Sequence, residues 1–205
     1  MHQNPVIEYK TGDKPALTVV LMHGRTLTPD YMRALADRIG LLGIRYLLPS
    51  ADGNTWYPKP FQAPIAENEP SLTAAIARYE SIVANLIADG VDPLRLVVGG
   101  FSQGACLTAE YLARHPRRLG GAIVWTGGLI GPSGTKWPVR PELDGMPAYI
   151  TTSETDPFVP AARVRETAQW LIASGAITTA RIFARRPHEV SDEEIGSVRR
   201  LLSGI

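Results

Sequence analysis

Short β-branched runs alternate along this chain with longer segments of helical period. That alternation is the pattern of a mostly parallel sheet covered on both faces by helices, so the expected fold class is α/β with a central sheet of about seven strands. Residues 17–21 and 95–98 are almost unbroken aliphatic runs, as central strands buried on both sides require, and 45–48, 121–125, 148–152 and 177–183 complete the set, with 6–9 as an edge strand. Between them, Ile76, Tyr79, Val83, Leu86 and Ile87 trace one stripe of an amphipathic helix spanning 71–90. Further helices are expected at 29–42, 103–115, 160–174 and 192–202.

The 205 residues suffice for one domain, expected to span 1–205, and are too few for two of ordinary size with a linker. At 44% hydrophobic and 20% charged, the chain buries a proper core. Its 21 basic and 20 acidic residues, net +1, leave no electrostatic footprint for nucleic acid or an anionic membrane. A single Cys excludes an internal disulfide or a thiolate metal cluster and fits a reducing compartment. Residues 1–10 carry Pro5 and Glu8 and do not read as a secretory signal, and no apolar run approaches the length that spans a bilayer. The expectation is a cytoplasmic chain with no stable membrane insertion, for which a homodimer stays open.

The chemistry begins at Gly100-Phe101-Ser102-Gln103-Gly104, a G-x-S-x-G pattern with an aliphatic strand before it and a helical stretch after it. On such a turn the nucleophile sits in strained backbone, and flanking glycines relieve crowding. The competing structural role is an N-cap serine on a Gly-rich turn. A serine hydroxyl needs a base, and there are four His to choose from. His2 is at the terminus. His115 ends the helix that starts beside Ser102, about 18 Å away. His23 opens a loop after the first long strand and is expected to order that loop by hydrogen bonding. His188, between the last strand and the last helix, is the expected base. The acid that orients it should lie beyond a strand's carboxyl end. Asp156 fits, Glu154 is its near rival, and either has the alternative role of capping the helix entered at Pro160. The Gln103 and Arg25 amides are the expected oxyanion donors, and the Arg25 side chain is expected to be solvated. Cys106, one turn along the helix from Ser102, is expected to be a small core residue.

Two aperiodic stretches, 50–70 with Trp56, Tyr57 and Phe61, and 127–147 with Trp137, follow strands and are candidate pocket walls.

Together, Leu21-Met22-His23-Gly24, Asn54-Thr55-Trp56-Tyr57-Pro58, Gly100-Phe101-Ser102-Gln103-Gly104-Ala105, Asp156-Pro157-Phe158-Val159-Pro160 and His188-Glu189-Val190 resemble the phospholipase/carboxylesterase family of α/β-hydrolases, which includes acyl-protein thioesterases. The resemblance covers nearly the whole chain. It implies an α/β-hydrolase fold without a lid domain and a serine esterase or thioesterase with Ser102, Asp156 and His188 as its triad. It implies a small-molecule ester substrate and needs no metal or organic cofactor. Leu27, Trp56, Phe158 and Val159 are then expected to contact substrate. Two positions depart from the pattern: Thr26 and Pro187 stand where many relatives have glycine. The open site is expected to be rimmed by both aromatic stretches.

Overall fold

The computed structural model describes residues 4–205, so the expectation placed on His2 lies outside the described residues. The chain forms β1 (Val6–Lys10), β2 (Leu17–Met22), α1 (Pro29–Ile39), β3 (Ile44–Pro49), α2 (Ser71–Ala88), β4 (Leu96–Phe101), α3 (Gln103–Arg114), β5 (Gly121–Trp125), β6 (Pro147–Ser153), α4 (Ala161–Ala173), β7 (Ile177–Phe183) and α5 (Asp192–Ser203). The strands join one sheet in the order β1-β3-β2-β4-β5-β6-β7. Edge strand β1 runs antiparallel to β3, and the other pairings are parallel.

Alternation along β2 builds the two layers of core. Val19 and Leu21 pack with Met32 and Leu35 of α1 and with Ile195 and Val198 of α5. Val20 and Met22 point the other way, toward Leu72 and Tyr79 of α2, Leu107 and Tyr111 of α3, and Val164 of α4. This is the period of two that a strand imposes, with both faces apolar because both are covered.

Element ends follow local chemistry. Pro29 opens α1, where its fixed φ is already helical, and Gly40 closes it at φ 65°, so the helix stops short of the apolar Leu41 and Leu42 that extend the sequence pattern. Strand β4 runs on past Val98 through Gly99 and Gly100, which give no apolar signal. Ser191 and Glu194 form a reciprocal capping box at the start of α5.

The topology places the site. From β2 the chain steps outward to β3, then returns past β2 to β4, so connections leave the carboxyl ends of β2 and β4 in opposite directions and open a crevice between them. His23 follows β2 there and Ser102 follows β4. No helix among the described residues is long and apolar enough to cross a membrane.

Candidate active site

Ser102 occupies the single residue between β4 and α3, with φ 54° and ψ −118°. That conformation costs a side-chain-bearing residue on the order of 1–3 kcal/mol and persists where surroundings fix it. Here the Ser102 amide donates to the Trp125 carbonyl at 2.9 Å, and the Ser102 carbonyl accepts from the Cys106 amide at 2.9 Å. The flanking glycines are sterically required. A Cβ on Gly104 would stand 2.1 Å from the Met22 carbonyl oxygen, and one on Gly100 would stand 2.5 Å from the Gly104 carbonyl carbon. Although Ser102 sits at the N-cap position, its hydroxyl makes no cap bond. It lies instead 2.9 Å from Nε2 of His188.

His188 projects from the connection between β7 and α5, and its Nδ1 lies 2.8 Å from Oδ2 of Asp156. A carboxylate only accepts, so Nδ1 carries the proton and Nε2 is left to accept from the Ser102 hydroxyl. Phe101 and Phe158 flank the imidazole, with ring centroids 5.0 and 4.9 Å away. Asp156 does not cap α4. Its Oδ1 accepts from the amides of Phe158 at 3.0 Å and Val159 at 2.9 Å, while the N-cap of α4 is Pro160. Burial acts to raise the Asp156 pKa, but the hydrogen bonds from His188 and the two amides outweigh it and hold the carboxyl below its ordinary value. Glu154 points away and pairs with Arg165 on the surface.

The other two histidines among the described residues stand apart from this chain of bonds. His115 stacks on Tyr111 at the far end of α3. His23 is fully buried. Its Nε2 accepts from the Ala51 amide at 3.0 Å, which puts the proton on Nδ1 to donate to the Gly24 carbonyl at 2.7 Å. It thus fixes the loop that carries Arg25.

That loop is bolted to the 54–61 segment. The Arg25 side chain, expected to be solvated, is partly exposed, but its guanidinium is tied down rather than free. It donates to the carbonyls of Tyr57, Pro58 and Lys59 at 3.0, 2.7 and 2.8 Å. Gln103 grips the same segment through its side chain, accepting from the Trp56 amide at 2.9 Å and donating to the Tyr57 carbonyl at 2.7 Å. The backbone amides of both residues remain available. Gln103 opens α3, where an amide has no intrahelical partner, and the Arg25 amide donates no backbone hydrogen bond among the described residues.

Ser102 and His188 line a cavity of about 760 Å³ whose walls are mainly apolar, a size usual for small-molecule sites. Leu27, Phe158 and Val159, which were expected to contact substrate, are among the residues that line it, as is Cys106. Trp56 does not. It is fully buried, its indole N–H donates to the His23 carbonyl at 2.9 Å, and its ring lies 4.9 Å from the His23 ring. Tyr57, Pro60 and Phe61 form the wall from this segment instead. The 127–147 stretch contributes nothing to the lining, because its aromatic Trp137 turns onto the Arg163 guanidinium, 5.3 Å from the ring. Tyr31 and Phe101 complete the walls in its place. Phe101 was visible in the sequence as the residue before Ser102, whereas Tyr31 lies on α1 with nothing in its spacing to mark it.

The Phospholipase/Carboxylesterase family model matches residues 2–204. A solved phospholipase/carboxylesterase from Dyadobacter fermentans shares 34% identity with a TM-score of 0.91, over 98% of this chain and 97% of that one. A probable carboxylesterase of Oryza sativa subsp. japonica is 24% identical over 68% of this chain and 52% of its own length. Acyl-protein thioesterase 1 of Schizosaccharomyces pombe is 28% identical over 62% of this chain and 57% of its own length. The chain thus spans little more than half of these curated relatives, but nearly all of the Dyadobacter structure. With its α/β-hydrolase sheet and a match along almost its whole length, the chain belongs to the phospholipase/carboxylesterase family.

Proposed function

We propose that this protein is a serine hydrolase that cleaves carboxylic esters of short to medium acyl chain, with Ser102, His188 and Asp156 as its triad. The observation that carries the reading is the continuous hydrogen-bonded chain from Ser102 Oγ through His188 to Asp156 Oδ2, at 2.9 and 2.8 Å, opening on the apolar cavity.

In the proposed cycle, His188 Nε2 takes the Ser102 proton as Oγ attacks the ester carbonyl, and Asp156 stabilises the imidazolium. The Arg25 and Gln103 amides receive the developing oxyanion, and loss of one such donor costs about 3 kcal/mol of transition-state stabilisation. The imidazolium then protonates the departing alcohol and leaves an acyl-Ser102 ester. Water, deprotonated by His188, attacks that ester and releases the acid. The Arg25 and Gln103 side chains support the donors by anchoring both of them to the 54–61 segment.

Thioesters and lysophospholipids suit the same machinery and differ in the acyl groove and leaving group. A p-nitrophenyl ester series from acetate to decanoate, run beside matched thioesters, tests the reading. The expected result is a kcat/KM maximum at short to medium acyl esters. A maximum on thioesters or on the longest chains replaces the substrate class, and no turnover by folded protein overturns the enzyme reading.

A further inference from the structure

A buried ion pair lies behind the loop that carries His188. Arg186 and Glu194 are 6% and 0% exposed, and Arg186 Nε stands 3.3 Å from Glu194 Oε2. Burying two charges is costly, and an apolar pair of similar volume often holds a fold as well or better. The contacts of the guanidinium show what an apolar pair would lose. One terminal nitrogen donates to the carbonyls of Pro187, at 2.7 Å, and Glu189, the two residues on either side of His188. The chain is already folded tightly at that point, with the Glu189 amide bonded back to the Pro187 carbonyl at 2.8 Å, and Pro187 has no N–H to contribute.

The other terminal nitrogen donates to Thr126 Oγ1 at 2.6 Å. Thr126 is held at φ 55° and follows Trp125, whose carbonyl takes the Ser102 amide. The Arg186 amide donates to Ser153 Oγ at 3.0 Å, at the end of the strand that leads to Asp156. Glu194 is fixed in turn by the hydroxyl of Thr151 at 2.6 Å and by the Ser191 amide and hydroxyl, each at 2.8 Å. Arg186 therefore joins the backbone around the base, through its side chain, to the end of β5, whose last carbonyl holds the Ser102 amide, and, through its own amide, to the end of β6, which leads to Asp156.

We propose that Arg186, charge-paired with Glu194, is a positioning residue that sets the reach of His188 toward Ser102. The inference rests on the triad reading above. Arg186 contacts neither substrate nor reacting atoms. Its effect is exerted through the peptide units that flank the base, where a small misplacement is expensive in rate.

The test compares kcat and KM on p-nitrophenyl butyrate, the rate of labelling by a fluorophosphonate, and the melting temperature for wild type, Arg186→Met, Arg186→Met/Glu194→Gln and Thr126→Val. Arg186→Met leaves Glu194 buried and unpaired, so both melting temperature and kcat should fall, kcat by about tenfold to a hundredfold with KM within about twofold. The double variant removes both charges and keeps a capping-competent Gln. It should recover most of the melting temperature while kcat and labelling stay low. Thr126→Val removes one acceptor without touching a charge and should lower kcat severalfold in a folded protein. Recovery of kcat together with melting temperature in the double variant, or wild-type kcat in folded Thr126→Val, makes the pair structural only and overturns the proposal. A Ser102→Ala control separates the two levels: if it retains turnover, the triad reading itself fails, and this inference falls with it.

Discussion

Asp156 Oδ2 stands 2.8 Å from Nδ1 of His188, while the other oxygen of the same carboxylate accepts two backbone amides. The amides lock the carboxylate, and the locked carboxylate fixes which imidazole nitrogen carries the proton. Asp156→Asn keeps the shape but presents a side chain able to favour the wrong tautomer. The expected loss in kcat is about 10³–10⁴-fold. Glu154→Gln, at an exposed pair with Arg165, should stay within about twofold of wild type. Steady-state kinetics on the two purified variants checks the assignment, and the reverse pattern would move the acid to Glu154.

The same carboxylate makes a prediction about acid stability. Its pKa in the folded protein is lowered, so folding favours its ionised form. The stabilisation is complete above the ordinary carboxylate range, near pH 4, and is lost as pH falls through the lowered value. Urea denaturation of wild type and Asp156→Asn should give a stability difference that drifts against wild type as pH falls below about 4. A difference that holds constant throughout the acid limb would contradict it.

Thr26 is held at φ 63°, a left-handed conformation that costs a β-branched residue about 1–2 kcal/mol. Thr26→Gly removes that strain but adds about 0.5–1 kcal/mol of chain entropy to the unfolded state. It also deletes an exposed hydroxyl bond to the Arg25 carbonyl. The balance favours the variant by up to about 1 kcal/mol, a rise in Tm of at most about 2–4 °C. Calorimetry showing a lower Tm would mean that the hydroxyl bond outweighs the strain.

Cys106 lines the cavity, yet it is buried, and burial pushes its thiol up to about 12. Very little thiolate is then present near neutrality, and the thiolate is the reactive form. Ellman's reagent should therefore leave the native protein unmodified over minutes and titrate one thiol per chain in denaturant. Rapid reaction in the native state would show that the packing around Cys106 opens to solvent.

The fold was legible because each strand and helix announces itself over its own residues. Aliphatic runs such as Val19 to Leu21 mark central strands, and glycine or proline punctuates the helices. The three residues proposed as the triad were readable for the same reason: Ser102, Asp156 and His188 each lie just past a strand's carboxyl end, and the structure brings them within hydrogen-bonding distance. What the chain hides are contacts between segments. Trp56 and Tyr57 are neighbours with equal claim to the wall, and only packing against His23 turns the first inward and leaves the second on the cavity. The 127–147 stretch is as aperiodic as 50–70, but the Arg163 guanidinium draws its tryptophan away from the site. Nothing in the local sequence marks Arg186 and Glu194, whose burial comes from elements far apart in the chain closing over them.

The central claim is that Ser102 is the nucleophile, activated by His188. Labelling with a fluorescent fluorophosphonate measures this directly, because the probe needs an activated serine and no knowledge of the natural substrate. Wild type should label to about one probe per chain, with rapid loss of esterase activity, and Ser102→Ala, shown by circular dichroism to be folded, should take up none. Undiminished labelling of folded Ser102→Ala would mean that another nucleophile operates, and the hydrogen-bonded chain from Ser102 to Asp156 would then not be the catalytic apparatus.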